Sequence, residues 1–179
     1  MGSRPPGGDA AGLNSKRVLA GVGDDAGPDI EIVLADPAWR SAVPRVEEAA
    51  RRAALAALAE ARAEGMAEGA VTVMLAGDRE VRRLNTDHRG KAKPTNVLSF
   101  PAEHPGFLGD VALALGVVRR EARAAGRPVL AHLSHLVAHG VLHLVGHDHL
   151  RAGEARRMER AEARVMRRLA LPNPWRGVA

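Results

Sequence analysis

The stretch Pro128–His149, PVLAHLSHLVAHGVLHLVGHDH, decides how the rest of the chain is read. Proline suits the first turn of a helix, where its missing N–H costs nothing, and apolar residues then recur without a charged side chain as far as Val145. Gly146 supplies the break. The pattern predicts a long, largely buried helix over 128–145 with a sharp turn after it. His132, His135, His139 and His143 stand three or four residues apart on that helix, so they share one face, turn above turn. A chain that doubles back at Gly146 brings His149 toward the same place.

Six of the eight histidines fall within these residues, and the chain has no cysteine. Thiolate sites and disulfides are therefore excluded, and a transition metal has only His, Asp and Glu to bind it. A lone His on an apolar helix is usually a core or surface residue, but this density favours a metal. Neutral imidazoles suit zinc, and His139, His143 and His149 as three ligands leave a fourth tetrahedral position open for water or substrate, as in a catalytic site. One Zn2+ per chain is expected. His135 and Asp148 are expected to hydrogen-bond to ligands, His132 to do the same or face substrate, and His147 to point away.

Outward from this segment, 179 residues with 46% apolar and 26% charged side chains fit one soluble domain. No apolar run nears the roughly 20 residues that span a bilayer. The first residues, MGSRPPGGDAAGLNSKR, lack the apolar centre of an export signal, so a cytoplasmic location is expected, with no membrane partner. Residues 1–28, rich in Gly, Pro and Asp, read as a disordered extension, and 29–179 as the domain. Strands are predicted at 30–34, 71–75, 96–100 and within 108–115. Helices are predicted at 44–64, 78–84, 116–125, 128–145 and 152–169, with a polar loop over 85–94. This is a single α+β domain: a small mixed sheet of about four strands packed with about five helices, one of them a zincin-like metal helix.

The ligand spacing His-x3-His-x2-Gly-x2-His is shared with metzincin proteases, which carry Glu after the first His as general base. Here that position is Gly140, so the residue that activates water for peptide hydrolysis is missing. The same run, HGVLHLVGHDH from His139 to His149, closely resembles the signature HGxLHLxGYDH of the YbeY family of bacterial ribosomal RNA maturation endoribonucleases. Two further blocks strengthen the resemblance: Asn85 to Arg89 with Thr95 to Pro101, and Gly109-Asp110-Val111. Three positions depart from the family pattern. Asn96 stands for an acid, His88 for an aromatic residue and His147 for Tyr.

The resemblance implies cleavage of single-stranded RNA, maturation of the 3′ end of 16S ribosomal RNA, ribosome quality control, and partners in the small ribosomal subunit and its assembly factors. It also places Arg89 as the catalytic arginine. A formal charge of +5 is compatible with an RNA partner. Lys91, Lys93, Arg119 and Arg120 are expected to hold flanking phosphates, with Arg123 extending the groove. Aromatic residues are only 2% of the chain, so backbone charge contacts should outweigh base stacking. The competing readings are a non-catalytic zinc-stabilised ribosome-assembly factor and, more remotely, a metzincin-like protease.

Overall fold

The strand Ala70–Ala76 is apolar except for Thr72 and buried along almost its whole length, as a strand covered on both faces must be. In the computed structural model, which describes residues 28–92, 95–147 and 152–175, this strand lies inside a four-stranded sheet. In chain order the elements are β1 (Ile30–Leu34), α1 (Ala38–Ala42), α2 (Val46–Ala63), β2 (Ala70–Ala76), α3 (Asp78–Arg89), β3 (Val97–Pro101), β4 (Phe107–Ala114), α4 (Leu115–Ala124), α5 (Val129–Leu144) and α6 (Ala152–Arg168). The sheet order is β1-β2-β4-β3; β1, β2 and β4 run parallel, and β3 is the antiparallel edge. It is the mixed sheet expected, with six helices among the described residues.

Side chains alternate between the two faces along each strand. Ile30, Val71, Val73, Leu75, Val111 and Leu113 meet α2 and α5 on one face, and α6 adds Met158, Ala161 and Val165 to the same core. On the other face Met74, Ala76, Ala112 and Leu98 pack with Val81 and Leu84 of α3. Gly140 lets α5 lie close on the sheet. A Cβ there would stand 2.6 Å from Val111 Cγ1 and 3.1 Å from Ser99 Oγ, and the Ser99 hydroxyl donates to the Gly140 carbonyl at 3.2 Å.

Two helix boundaries and one whole helix differ from expectation. The helix placed from Pro44 starts at Val46, because Arg45 takes a left-handed conformation (φ 53°) immediately before it. Helix α1 was not anticipated; it is a short turn held by Trp39, whose buried indole N–H donates to the Ala76 carbonyl at 2.9 Å, a contact between residues far apart in sequence. Helix α3 continues past Leu84 to Arg89, because Asn85 is buried and the chain leaves the helix only at Gly90. Apart from Pro28, the extension proposed for residues 1–28 lies outside the described residues. Among the described residues, no helix is long and apolar enough to cross a membrane.

Candidate metal centre

Helix α5 turns its apolar side to the core and brings His132, His135, His139 and His143 to one edge. The last two converge: His139 Nε2 and His143 Nε2 are 3.1 Å apart, with their rings at 79°. Two nitrogens bound at 2.0–2.1 Å to one tetrahedral zinc would be roughly 3.3–3.4 Å apart. The pair therefore fits a shared zinc ion with only a slight opening. Gly146, at φ 105°, ends the segment in a conformation that side chains disfavour, and the His147 N–H closes the turn on the Leu142 carbonyl at 3.0 Å. His149 and Asp148 lie outside the described residues, and among the described residues no three metal-binding side chains converge on one point.

Behind the pair is a carboxylate that the sequence reading did not single out. Glu162 of α6, 1% exposed, approaches His139 Nδ1 with Oε1 at 2.6 Å and His135 Nε2 with Oε2 at 2.9 Å. The Trp175 indole N–H also donates to Oε2, at 2.9 Å. Burial pushes the Glu162 pKa up, but hydrogen bonds from His135 and His139, and the charge those rings can carry, outweigh it and hold the pKa at about 2. The sequence did contain a signal. Glu162 interrupts the apolar stripe of Met158, Ala161, Val165 and Met166 on α6, and an acid in such a stripe needs partners.

His132 lies one turn before His135, with Nε2 2.8 Å from Glu121 Oε2; the Asn96 amide donates to that same oxygen at 2.9 Å. The amide at 96 thus meets Glu121 with a donor, where an acid would meet it with a second carboxylate. The His147 ring is buried, with Nε2 3.2 Å from Glu64 Oε2 but without hydrogen-bond alignment. Glu64 and Glu60 in turn hold Arg164. At Gly140, where a metzincin carries its glutamate, even one carbon collides with Val111.

Arg89 sits in the last turn of α3 rather than in a loop, where a cation complements the helix C-terminus. Its Nη2 donates to the Ser99 carbonyl at 2.9 Å, and its guanidinium carbon is 5.9 Å from the centre of the Phe100 ring. Ser99 in turn binds the Gly140 carbonyl, so Arg89 is tied to the α5 turn that bears His139. Lys91 is exposed just past α3, and Lys93 lies outside the described residues. Arg119 and Arg120 are elsewhere. With Arg123 and Arg127 they line a concavity of about 600 Å³ at the start of α5. At 1.5 Å per residue, that end is roughly 15 Å along the helix axis from His139. Arg120 is also paired with Asp78 at 3.0 Å.

The family profile described as Endoribonuclease YbeY matches residues 38–170. The chain is 48% identical over 146 residues to the Endoribonuclease YbeY of Gluconobacter oxydans, covering 82% of this chain and 87% of that protein. To the Endoribonuclease YbeY of a Rhodopseudomonas palustris strain it is 41% identical, over 98% of this chain and 94% of the relative. The solution structure of TM1509 from Thermotoga maritima shares the fold, with a TM-score of 0.53 and 23% identity over 79% of this chain and 91% of that one. With the profile spanning three of the four strands and all six described helices, and relatives 41–48% identical over most of the chain, the chain belongs to the Endoribonuclease YbeY family.

Proposed function

We propose that this member of the family is a zinc-dependent endoribonuclease that cuts single-stranded ribosomal RNA in the cytoplasm and takes part in maturing the 3′ end of 16S ribosomal RNA on the small subunit. The observation that carries the metal reading is the His139–His143 pair, whose Nε2 separation of 3.1 Å suits two ligands of one zinc ion. His149 is proposed as the third ligand. Zinc held there would supply a Lewis acid for a phosphoryl oxygen.

The remaining chemistry rests on the chain's own groups. Breaking a phosphodiester concentrates negative charge on a five-coordinate phosphorus, so a second cation near the histidines is needed. Arg89 is tethered to the same stretch of α5 through Ser99, and that tether uses one of its five N–H donors. Its other donors can grip a phosphate oxygen in pairs, which a lysine cannot do. The stack of Arg89 over Phe100 limits the wandering of a long side chain. Lys91 and Lys93 would hold phosphates close to the cut. Arg119, Arg120 and Arg123, at the far end of α5, would meet the strand only several nucleotides away.

The protease reading is disfavoured by the packing at Gly140, which leaves no space for a general base. The assembly-factor reading is separated by RNA cleavage assays on wild type, Arg89→Ala and Arg89→Lys, each with its zinc content measured. The proposal expects cleavage by the wild type, its loss in Arg89→Ala with zinc retained, and a deep reduction in Arg89→Lys. Equal cleavage by all three, or none by the zinc-loaded wild type, would contradict it. Products ending in 2′,3′-cyclic phosphate would identify the RNA 2′-hydroxyl as nucleophile, and 5′-phosphate with 3′-hydroxyl ends would identify water.

A further inference from the structure

Three N–H-bearing side chains from two different segments point at one buried carboxylate. His135 and His139 come from α5, and Trp175 comes from the segment after α6. Glu162 itself is almost wholly enclosed, and no Lys or Arg is paired with it among the described residues. An acid so buried, facing imidazoles rather than a guanidinium, is poorly explained as an ordinary stabilising ion pair.

The contacts are also selective. Oε1 takes the His139 Nδ1 side alone, at 2.6 Å, while Oε2 takes His135 and Trp175. A hydrogen on His139 Nδ1 leaves the Nε2 lone pair pointing at His143 Nε2, the tautomer that metal ligation requires. The indole, packed edge-to-face against His135 at 5.9 Å, occupies the remaining side of the carboxylate. The Pro174 carbonyl next to it is held by Arg127, so the segment carrying Trp175 is fixed to the start of α5.

We infer that Glu162 is the positioning residue of the metal centre: its carboxylate fixes the tautomer and orientation of His139, and Trp175 holds that carboxylate in place. The inference rests on the zinc reading above and deepens it. Glutamine is a stringent replacement. It keeps the volume but offers one acceptor oxygen where three N–H groups converge, and its amide N–H pair would face donors. Aspartate keeps both oxygens but is one carbon shorter, so it can serve His139 or the His135–Trp175 side and not both.

The test is zinc affinity of the full chain, measured by competition with a chromophoric chelator for wild type, Glu162→Gln, Glu162→Asp and Trp175→Phe. It is paired with nitrogen-15 NMR of the histidine rings in the metal-free protein. Removing a hydrogen bond behind a metal-binding His typically costs 10–100-fold in affinity. Glu162→Gln should fall in that range, and Glu162→Asp should recover part of the loss. Trp175→Phe, which keeps an aromatic ring beside His135, leaves His139 and His143 untouched and deletes the indole donor, should lose several-fold. Wild-type His139 should show the Nδ1–H form, and Glu162→Gln should show a mixture of tautomers. Because Trp175 lies at the margin of the fold, its variant keeps the test open if Glu162→Gln fails to fold. Zinc affinity within twofold of wild type in a folded Glu162→Gln, or in Trp175→Phe where the former does not fold, would overturn the inference. A wild type that binds no zinc would instead remove the functional reading on which it stands.

Discussion

Replacing Gly140 by alanine tests how the metal helix is seated. Alanine is the better helix former by about 1 kcal/mol, so on propensity alone the variant should be more stable. Packing opposes this. The new Cβ would lie 2.6 Å from Val111 Cγ1 and 3.1 Å from both Val111 Cγ2 and Ser99 Oγ, whereas carbon atoms rest about 3.5–4.0 Å apart. Both methyls of Val111 face the contact and a β-branched side chain is stiff at χ1, so rotation exchanges one collision for another. Helix α5 must therefore retreat by about 1 Å, and overpacking of this kind costs about 1–3 kcal/mol. At the middle of that range the balance is a net loss of about 1 kcal/mol, or a fall in Tm of roughly 2–4 °C for a domain of this size. Thermal unfolding of the metal-free protein, followed by circular dichroism, measures it. The decisive comparison is Gly140→Ala in a Val111→Ala background, where the opposing methyls are gone. There the substitution should be neutral or stabilising. An unchanged or higher Tm in the wild-type background, or the same loss in both backgrounds, would refute the reasoning.

Two further outcomes follow from electrostatics. Burial pushes the Asp110 carboxyl up; the Thr72 hydrogen bond opposes this, and the negative charge of Glu31 adds to it. A carboxyl whose folded-state pKa is raised favours folding in its protonated form, and that contribution is lost as pH rises through the folded pKa. Asp110→Asn should therefore raise Tm relative to wild type at neutral pH, with the gain vanishing in acid; an equal change at both pH values would contradict it. If Arg89, Lys91, Arg119 and Arg123 each neutralise one phosphate, a slope of about −0.7 per contact on a single strand predicts an affinity loss of about 600-fold for a tenfold rise in salt. A titration by fluorescence anisotropy that shows no salt dependence would remove phosphate contacts as the basis of binding.

Much of the fold was legible because its signals are local. The apolar run after Pro128 marks a buried helix, and the β-branched runs at 30–34 and 71–75 mark strands. The α5 histidines were legible as a set because helical spacing alone puts them on one face. What escaped depends on distant partners. Helix α1 exists because Trp39 reaches Ala76, and α3 extends to Arg89 because burial of Asn85 outweighs its preference for a turn. Glu162 interrupts an apolar stripe, a signal diluted by the many Arg and Glu of its helix; only the meeting of α5, α6 and Trp175 reveals its three partners. Arg119 and Arg120 were grouped with Arg89 by charge, but helix length separates them from the histidines, which sequence proximity to a motif does not convey.

X-ray absorption at the zinc edge of the purified protein addresses the central claim most directly. The account predicts one zinc per chain, coordinated by three imidazole nitrogens at about 2.0–2.1 Å plus an exchangeable oxygen donor, with the metal lost in His139→Ala and in His143→Ala. A coordination sphere closed by a fourth protein side chain, or zinc retained when either histidine is removed, would contradict it.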